Sequence, residues 1–105
     1  MVSVSEVVKT WQEGFANKDS SKLGEFFTDD FRFVSNIRDI GKQETLDWTS
    51  TGEMVIDNLE VIYENDEVAV VHHDANRGDN NGVAMVVYLK RGDKISGCRV
   101  IRAAV

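Results

Sequence analysis

Between Val68 and Asp74 an apolar run, Val-Ala-Val-Val, gives way to His72-His73-Asp74 within a single strand's length of chain. An imidazole beside a carboxylate is a pair that acid–base chemistry uses. The carboxylate orients the ring, and a histidine pKa of about 6.5 lets the ring both give and take a proton near neutrality. Side chains alternate across a strand, so His72 and Asp74 share one face with Val68 and Val70, while His73 joins Ala69, Val71 and Ala75 on the other. The two members of the pair are then about 7 Å apart at Cα by strand rise. On a pocket face they form a candidate catalytic or anchoring site, with His72 as base or hydrogen donor and Asp74 as its orienter. The plainer alternative is that they satisfy each other or neighbouring strand groups, because polar groups near a pocket need partners whether or not they react.

Other reactive residue types give weaker signals. His72 and His73 point apart, and His72 with Asp74 offers two ligands where zinc wants three or four, so no metal is expected. No cofactor motif is present either. Cys98 is the lone cysteine, which rules out an internal disulfide and reads as a small buried hydrophobe rather than a nucleophile. Arg77-Gly78-Asp79 and Arg91-Gly92-Asp93 both spell an adhesion tripeptide, but in this context they are hairpin chemistry.

The elements that must position these groups follow from periodicity. Ser3 and Glu6 stand at capping-box spacing, and Val4, Val7, Val8, Trp11 and Phe15 recur at helical intervals, predicting a first amphipathic helix. Asp19 or Ser20 can cap a second, shorter helix carrying Leu23, Phe26 and Phe27, followed by a turn at Thr28-Asp29-Asp30 and a strand over Phe31-Arg32-Phe33-Val34. After Asp39 to Gly41, residues Lys42 to Thr49 read as a third helix with Leu46 and Trp48 on its apolar side, ended by Ser50-Thr51-Gly52. From Met54 the period becomes two. Four strands follow, joined at Glu64 to Glu67, at Arg77 to Gly82, and at Arg91 to Lys94, where a Gly-Asp pair suits a tight primed turn. This order predicts an α+β domain over 1–105, with helices gathered on one face of a curved sheet.

Composition narrows the function classes. With 12 basic and 18 acidic residues the net charge is −6, which disfavours a nucleic acid partner, since phosphate binding draws on clustered Lys and Arg. No apolar stretch approaches the length that spans a bilayer and no leader pattern opens the chain, so neither membrane insertion nor export is expected and a cytoplasmic location is. Proline is absent, leaving loops such as 77–82 without that means of stiffening.

The element order, with Phe26-Phe27-Thr28-Asp29-Asp30-Phe31 closing the second helix and Gly92-Asp93-Lys94-Ile95-Ser96-Gly97-Cys98-Arg99 closing the sheet, resembles the NTF2-like superfamily, in its SnoaL-like branch. The resemblance implies a cone: a bent, mostly antiparallel sheet wrapped around an apolar pocket and packed against three N-terminal helices, often paired as a homodimer through the outer sheet face. Val83 to Leu89 carries apolar residues on both faces, which fits two covers. Compared with ketosteroid isomerases, Ser35, Phe27 and Met85 stand where that branch has its base, tyrosine and second acid. Compared with limonene epoxide hydrolases, whose Arg-x-Asp strand motif falls on His72-His73-Asp74, Asp74 is kept, while Val100, Phe33 and Ser35 replace the second acid, the tyrosine and the asparagine. The resemblance thus points His72 and Asp74 into the cone and His73 toward a partner, and implies a pocket lined by Phe27, Phe33, Ser35, Trp48, Met85, Cys98 and Val100. The function expected is binding of a small apolar or amphipathic molecule. The alternatives are a SnoaL-like isomerase, dehydratase, cyclase or hydrolase using His72 and Asp74 on a small carbonyl, polyketide-like or epoxide substrate, and a non-catalytic dimeric interaction module.

Overall fold

The computed structural model describes residues 2–105. Helix α1 (Val4–Asn17) buries Val4, Val7, Val8, Trp11 and Phe15, the stripe that its spacing predicts. Ser3 takes the N-cap position, but its side chain makes no capping bond. The Val4 N–H instead donates to the Glu64 carboxylate at 2.7 Å, and Lys90 holds the same carboxylate at 2.8 Å. A distant acid therefore satisfies an orphan donor and faces the positive end of the helix dipole. The helix stops at Lys18, whose left-handed φ of 54° turns the chain.

Helix α2 is a single turn, Ser21–Gly24, shorter than the phenylalanine spacing suggested. Phe27 already begins β1 (Phe27–Ser35). Two contacts pull it there. The Ile95 N–H donates to the Phe26 carbonyl at 2.7 Å, and the Phe27 ring stacks on Phe31 at 3.8 Å between centroids. The expected turn at Thr28 to Asp30 is absorbed as an irregularity in the pairing of β1. A short strand β2 (Asp39–Gly41) precedes α3 (Lys42–Thr51), which packs through Thr45 and Thr49, both fully buried, more than through Leu46 and Trp48.

The remaining strands are β3 (Met54–Glu64), β4 (Val68–Arg77), β5 (Gly82–Arg91) and β6 (Lys94–Ala104). Together they form one six-stranded sheet in the order β2-β1-β6-β5-β4-β3, antiparallel except where β1 runs parallel to β6. In the last hairpin Gly92 has φ of 61°, the sign a primed turn needs at its first central residue. β3 bends at a bulge where Asn58 adopts φ of 54°. The Asn58 side chain donates to the Asp74 carboxylate at 2.6 Å, so Asp74 holds this bulge in place. Bulges of this kind curve a sheet.

The curved sheet has two distinct faces. Ala69, Val71, His73 and Ala75 of β4, Ala84, Val86 and Tyr88 of β5, and Cys98 of β6 are buried and turn inward. The same parity leaves Met85 43% and Ile101 69% exposed on the outside.

Trp11 ties the layers together. Its ring meets Phe27, Phe33 and Tyr88 edge-on at 5.5, 6.0 and 6.4 Å, and its Nε1–H donates to Thr49 Oγ1 at 3.0 Å in a fully buried bond. Thr49 passes its own hydrogen to the Thr45 carbonyl. Replacing Thr49 by the isosteric valine strands the indole N–H in the core, a loss of about 1–3 kcal/mol. The expected result of Thr49→Val is a lower urea midpoint with an unchanged denaturant slope; an unchanged midpoint contradicts this role for the bond.

Candidate functional site

A cavity of about 120 Å³ lies between the inner sheet face and the helices. That is near the size of engineered core cavities that hold one benzene-sized molecule. Trp11 and Phe15 come from α1, Phe33 and Ser35 from β1, Trp48 from α3, Met54 and Ile56 from β3, and Val86, Cys98 and Val100 from β5 and β6. The aromatic walls interlock: Trp48 meets Phe15 at 5.2 Å and Phe33 at 5.4 Å, both edge-on.

Among the residues expected in the pocket, Phe33, Ser35, Trp48, Cys98 and Val100 line it, but Phe27 and Met85 do not. Phe27 is consumed in the core against Phe31 and Trp11. Met85 lies on the outer face, opposite His72 in the β4–β5 register. The two faces of β4 are likewise the reverse of the orientation expected. His73 lines the cavity with 5% of its surface exposed, whereas His72 and Asp74 fall on the outer face, where Asp74 serves Asn58. The physical reason is visible along the strand. The face of His73 is apolar on both sides of it, at Ala69, Val71 and Ala75, while the face of His72 runs on into Asp74 and Asn76.

His73 is held in a defined state. Its Nδ1 is 2.9 Å from the Asp74 carbonyl oxygen. A carbonyl only accepts, so Nδ1 carries the proton and Nε2 is the nitrogen available to the cavity. Burial pushes the imidazole below the ordinary histidine value. The Asp74 carbonyl and carboxylate oppose that shift, and His72 adds to it. The ring is therefore neutral at pH 7, with Nε2 as a hydrogen-bond acceptor. Tyr88 lines the same cavity. Burial, with Cys98 adding to it, raises its hydroxyl well above the usual range, so it stays protonated. Burial likewise pushes the Cys98 thiol up to about 12, which removes it as a nucleophile. No carboxylate lines the cavity among the described residues, and no cluster of three or more metal-ligating side chains occurs among them.

The depressed value of His73 has a consequence for stability. In the unfolded chain the ring takes a proton at about pH 6.5; in the folded chain it does so only at lower pH, so the unfolded state binds more protons in that window. Stability is then full above about pH 6.5 and falls as the pH drops toward the folded value. His73→Asn keeps a donor for the Asp74 carbonyl and cannot titrate. Urea midpoints measured between about pH 7 and about pH 5.5 should fall more steeply for the parent than for the variant; equal slopes contradict the burial of a neutral ring.

No protein-family model matches the chain, and no curated protein matches it. Solved structures do. An NTF2-like protein of unknown function from Cytophaga hutchinsonii superposes with a TM-score of 0.82 at 10% identity, over 98% of this chain and 92% of that one. A proposed ketosteroid isomerase from Kribbella flavida gives 0.77 at 12% identity, over 95% and 77%. A proposed polyketide cyclase from Sinorhizobium meliloti gives 0.72 at 16%, over 90% and 93%. No helix among the described residues is long and apolar enough to cross a membrane. With its bent six-stranded sheet and three helices, the chain has the NTF2-like fold.

Proposed function

We propose that the protein binds a small, largely apolar molecule inside the cone, with the neutral Nε2 of His73 and the hydroxyl of Tyr88 as its hydrogen-bonding points. The observation that carries this reading is one cavity whose wall is mainly aromatic and aliphatic, with His73 and Tyr88 among the few polar groups that line it, the usual composition of a small-molecule site. Benzyl alcohol, neutral and about the size of the cavity, is a suitable probe. It should shift the backbone amide resonances of Ala84, Val86 and Cys98, and Ala84→Phe, which fills the cavity from its β5 wall, should abolish those shifts while the far-ultraviolet circular dichroism stays native. Shifts confined to outer-face residues such as Val87 and Ile101 contradict the reading.

A second reading is favoured by the tautomer of His73. An unprotonated nitrogen facing an apolar cavity is the group that would take a proton from a carbon acid. Deuterium exchange at the α-carbon of phenylacetone, accelerated by the parent and not by His73→Asn, supports that chemistry; no acceleration by the parent counts against it.

A second copy of the chain is our proposed cover for the outer sheet face. Across that face His72, Met85 and Ile101 form one row. Val70, Val87 and Arg99 flank it on one side, and Asp57, Asp74 and Val83 on the other. A twofold axis through the central row sets the basic side of one copy against the acidic side of the other, the self-complementarity that an isologous dimer needs. Light scattering at micromolar concentration should give twice the chain mass of 11.8 kDa, and the Met85→Lys, Ile101→Lys double variant should give the single mass. A parent of single mass contradicts the dimer.

A further inference from the structure

The charge around the cavity runs against the charge of the chain. Eighteen acidic residues outnumber twelve basic ones overall, yet the charged residues lining the cavity are Arg38, Arg77 and Arg102, with no aspartate or glutamate among them. Strand direction explains how they meet. β1 is parallel to β6, and β6 and β4 are each antiparallel to β5, so β1, β4 and β6 end at the same rim of the sheet. Arg38 follows the end of β1, Arg77 closes β4, and Arg102 lies two residues before the end of β6.

None of the three is within ion-pair distance of a carboxylate among the described residues. The acid beside Arg38, Asp39, is engaged elsewhere, with Arg32 at 2.6 Å, and Arg91 likewise has Asp30 at 3.0 Å. Two of the rim arginines are instead fixed by uncharged groups. The Arg38 guanidinium lies over the Trp48 ring at 4.6 Å. Arg102 donates from Nε to the Ala75 carbonyl at 3.0 Å and from Nη2 to the Asn80 carbonyl at 2.8 Å. It rests against Gly82, where a Cβ would come within 2.7 Å of the guanidinium carbon, so a glycine makes room for it. These contacts orient the Arg38 and Arg102 guanidinium groups and leave their charge uncompensated. Like charges gathered at one rim repel each other until an anion arrives, and guanidinium forks match carboxylate oxygens in geometry.

We propose that the molecule held in the cone is a small carboxylate, its apolar body among Trp11, Phe33, Trp48 and Val86 and its carboxylate at the rim formed by Arg38, Arg77 and Arg102. This rests on the reading of the cavity as a ligand site and specifies the ligand's head group. The test compares benzoate with benzamide, its neutral isostere, by amide chemical-shift titration at millimolar concentrations and low salt. Charge-assisted hydrogen bonds to arginine should make benzoate bind at least about tenfold more tightly, and added salt should erode the preference. Arg77→Gln and Arg38→Gln, at exposed and half-buried positions where loss of the fold is not expected, should each reduce the ratio of benzoate to benzamide affinity, and the double variant should reduce it further.

Equal binding of the two probes overturns the head-group inference and leaves the cavity as a ligand site. A benzoate preference untouched by the arginine variants overturns it as well, since the anion is then read elsewhere. Binding of neither probe overturns both the head-group inference and the ligand-site reading.

Discussion

The indole N–H of Trp11 must find an acceptor inside an apolar core, and Thr49 supplies it. Much else depends on that single bond. It fixes α3 against α1 at the depth where Trp48 can close one wall of the cavity, and Trp48 in turn carries the Arg38 guanidinium on its ring. The sheet meets the same indole from the other side through Phe27, Phe33 and Tyr88. One satisfied donor at the centre thus sets the spacing between helices and sheet, and that spacing is what leaves a cavity instead of a filled core. The threonines of α3 replace the larger apolar residues a packed helix would present there.

Curvature is the second constraint. The Asn58 bulge bends β3, and the Asp74 carboxylate holds the asparagine that makes it possible. A residue that looked like part of a reactive pair is therefore a structural acid on the convex side. His72 has the same address, in a row with Met85 and Ile101. The imidazole on the concave side is that of His73, where burial keeps the ring neutral and a backbone carbonyl chooses its tautomer.

Period and element order were legible in the residues alone: the α1 stripe, the third helix, the four closing strands and the grouping of His73 with Ala69, Val71 and Ala75 all follow from spacing. Strand alternation divides residues into two sets without saying which set is inside. For β4 the inside set is marked by the small apolar residues on both sides of His73, whereas similarity to the Arg-x-Asp motif of a distant branch points the other way. Phe27 departs from its helical spacing for a different reason. Its helical spacing to Leu23 and Phe26 is real, but pairing with β6 and stacking on Phe31 outweigh a four-residue helix, which has little cooperative stability of its own. The rim arginines had no sequence signal at all. They lie 39 and 25 positions apart along the chain, and only parallel running of β1, β4 and β6 brings them to one end.

A ligand held in the cone, as proposed, must lie against the concave face of the sheet. Nuclear Overhauser contacts between the ring protons of bound benzoate and methyl-labelled protein locate it. Contacts are expected to the methyl groups of Met54, Ile56, Val86 and Val100, which line the cavity, and none to Val70, Val83, Val87 or Ile101. Contacts to the second set in place of the first would contradict that placement.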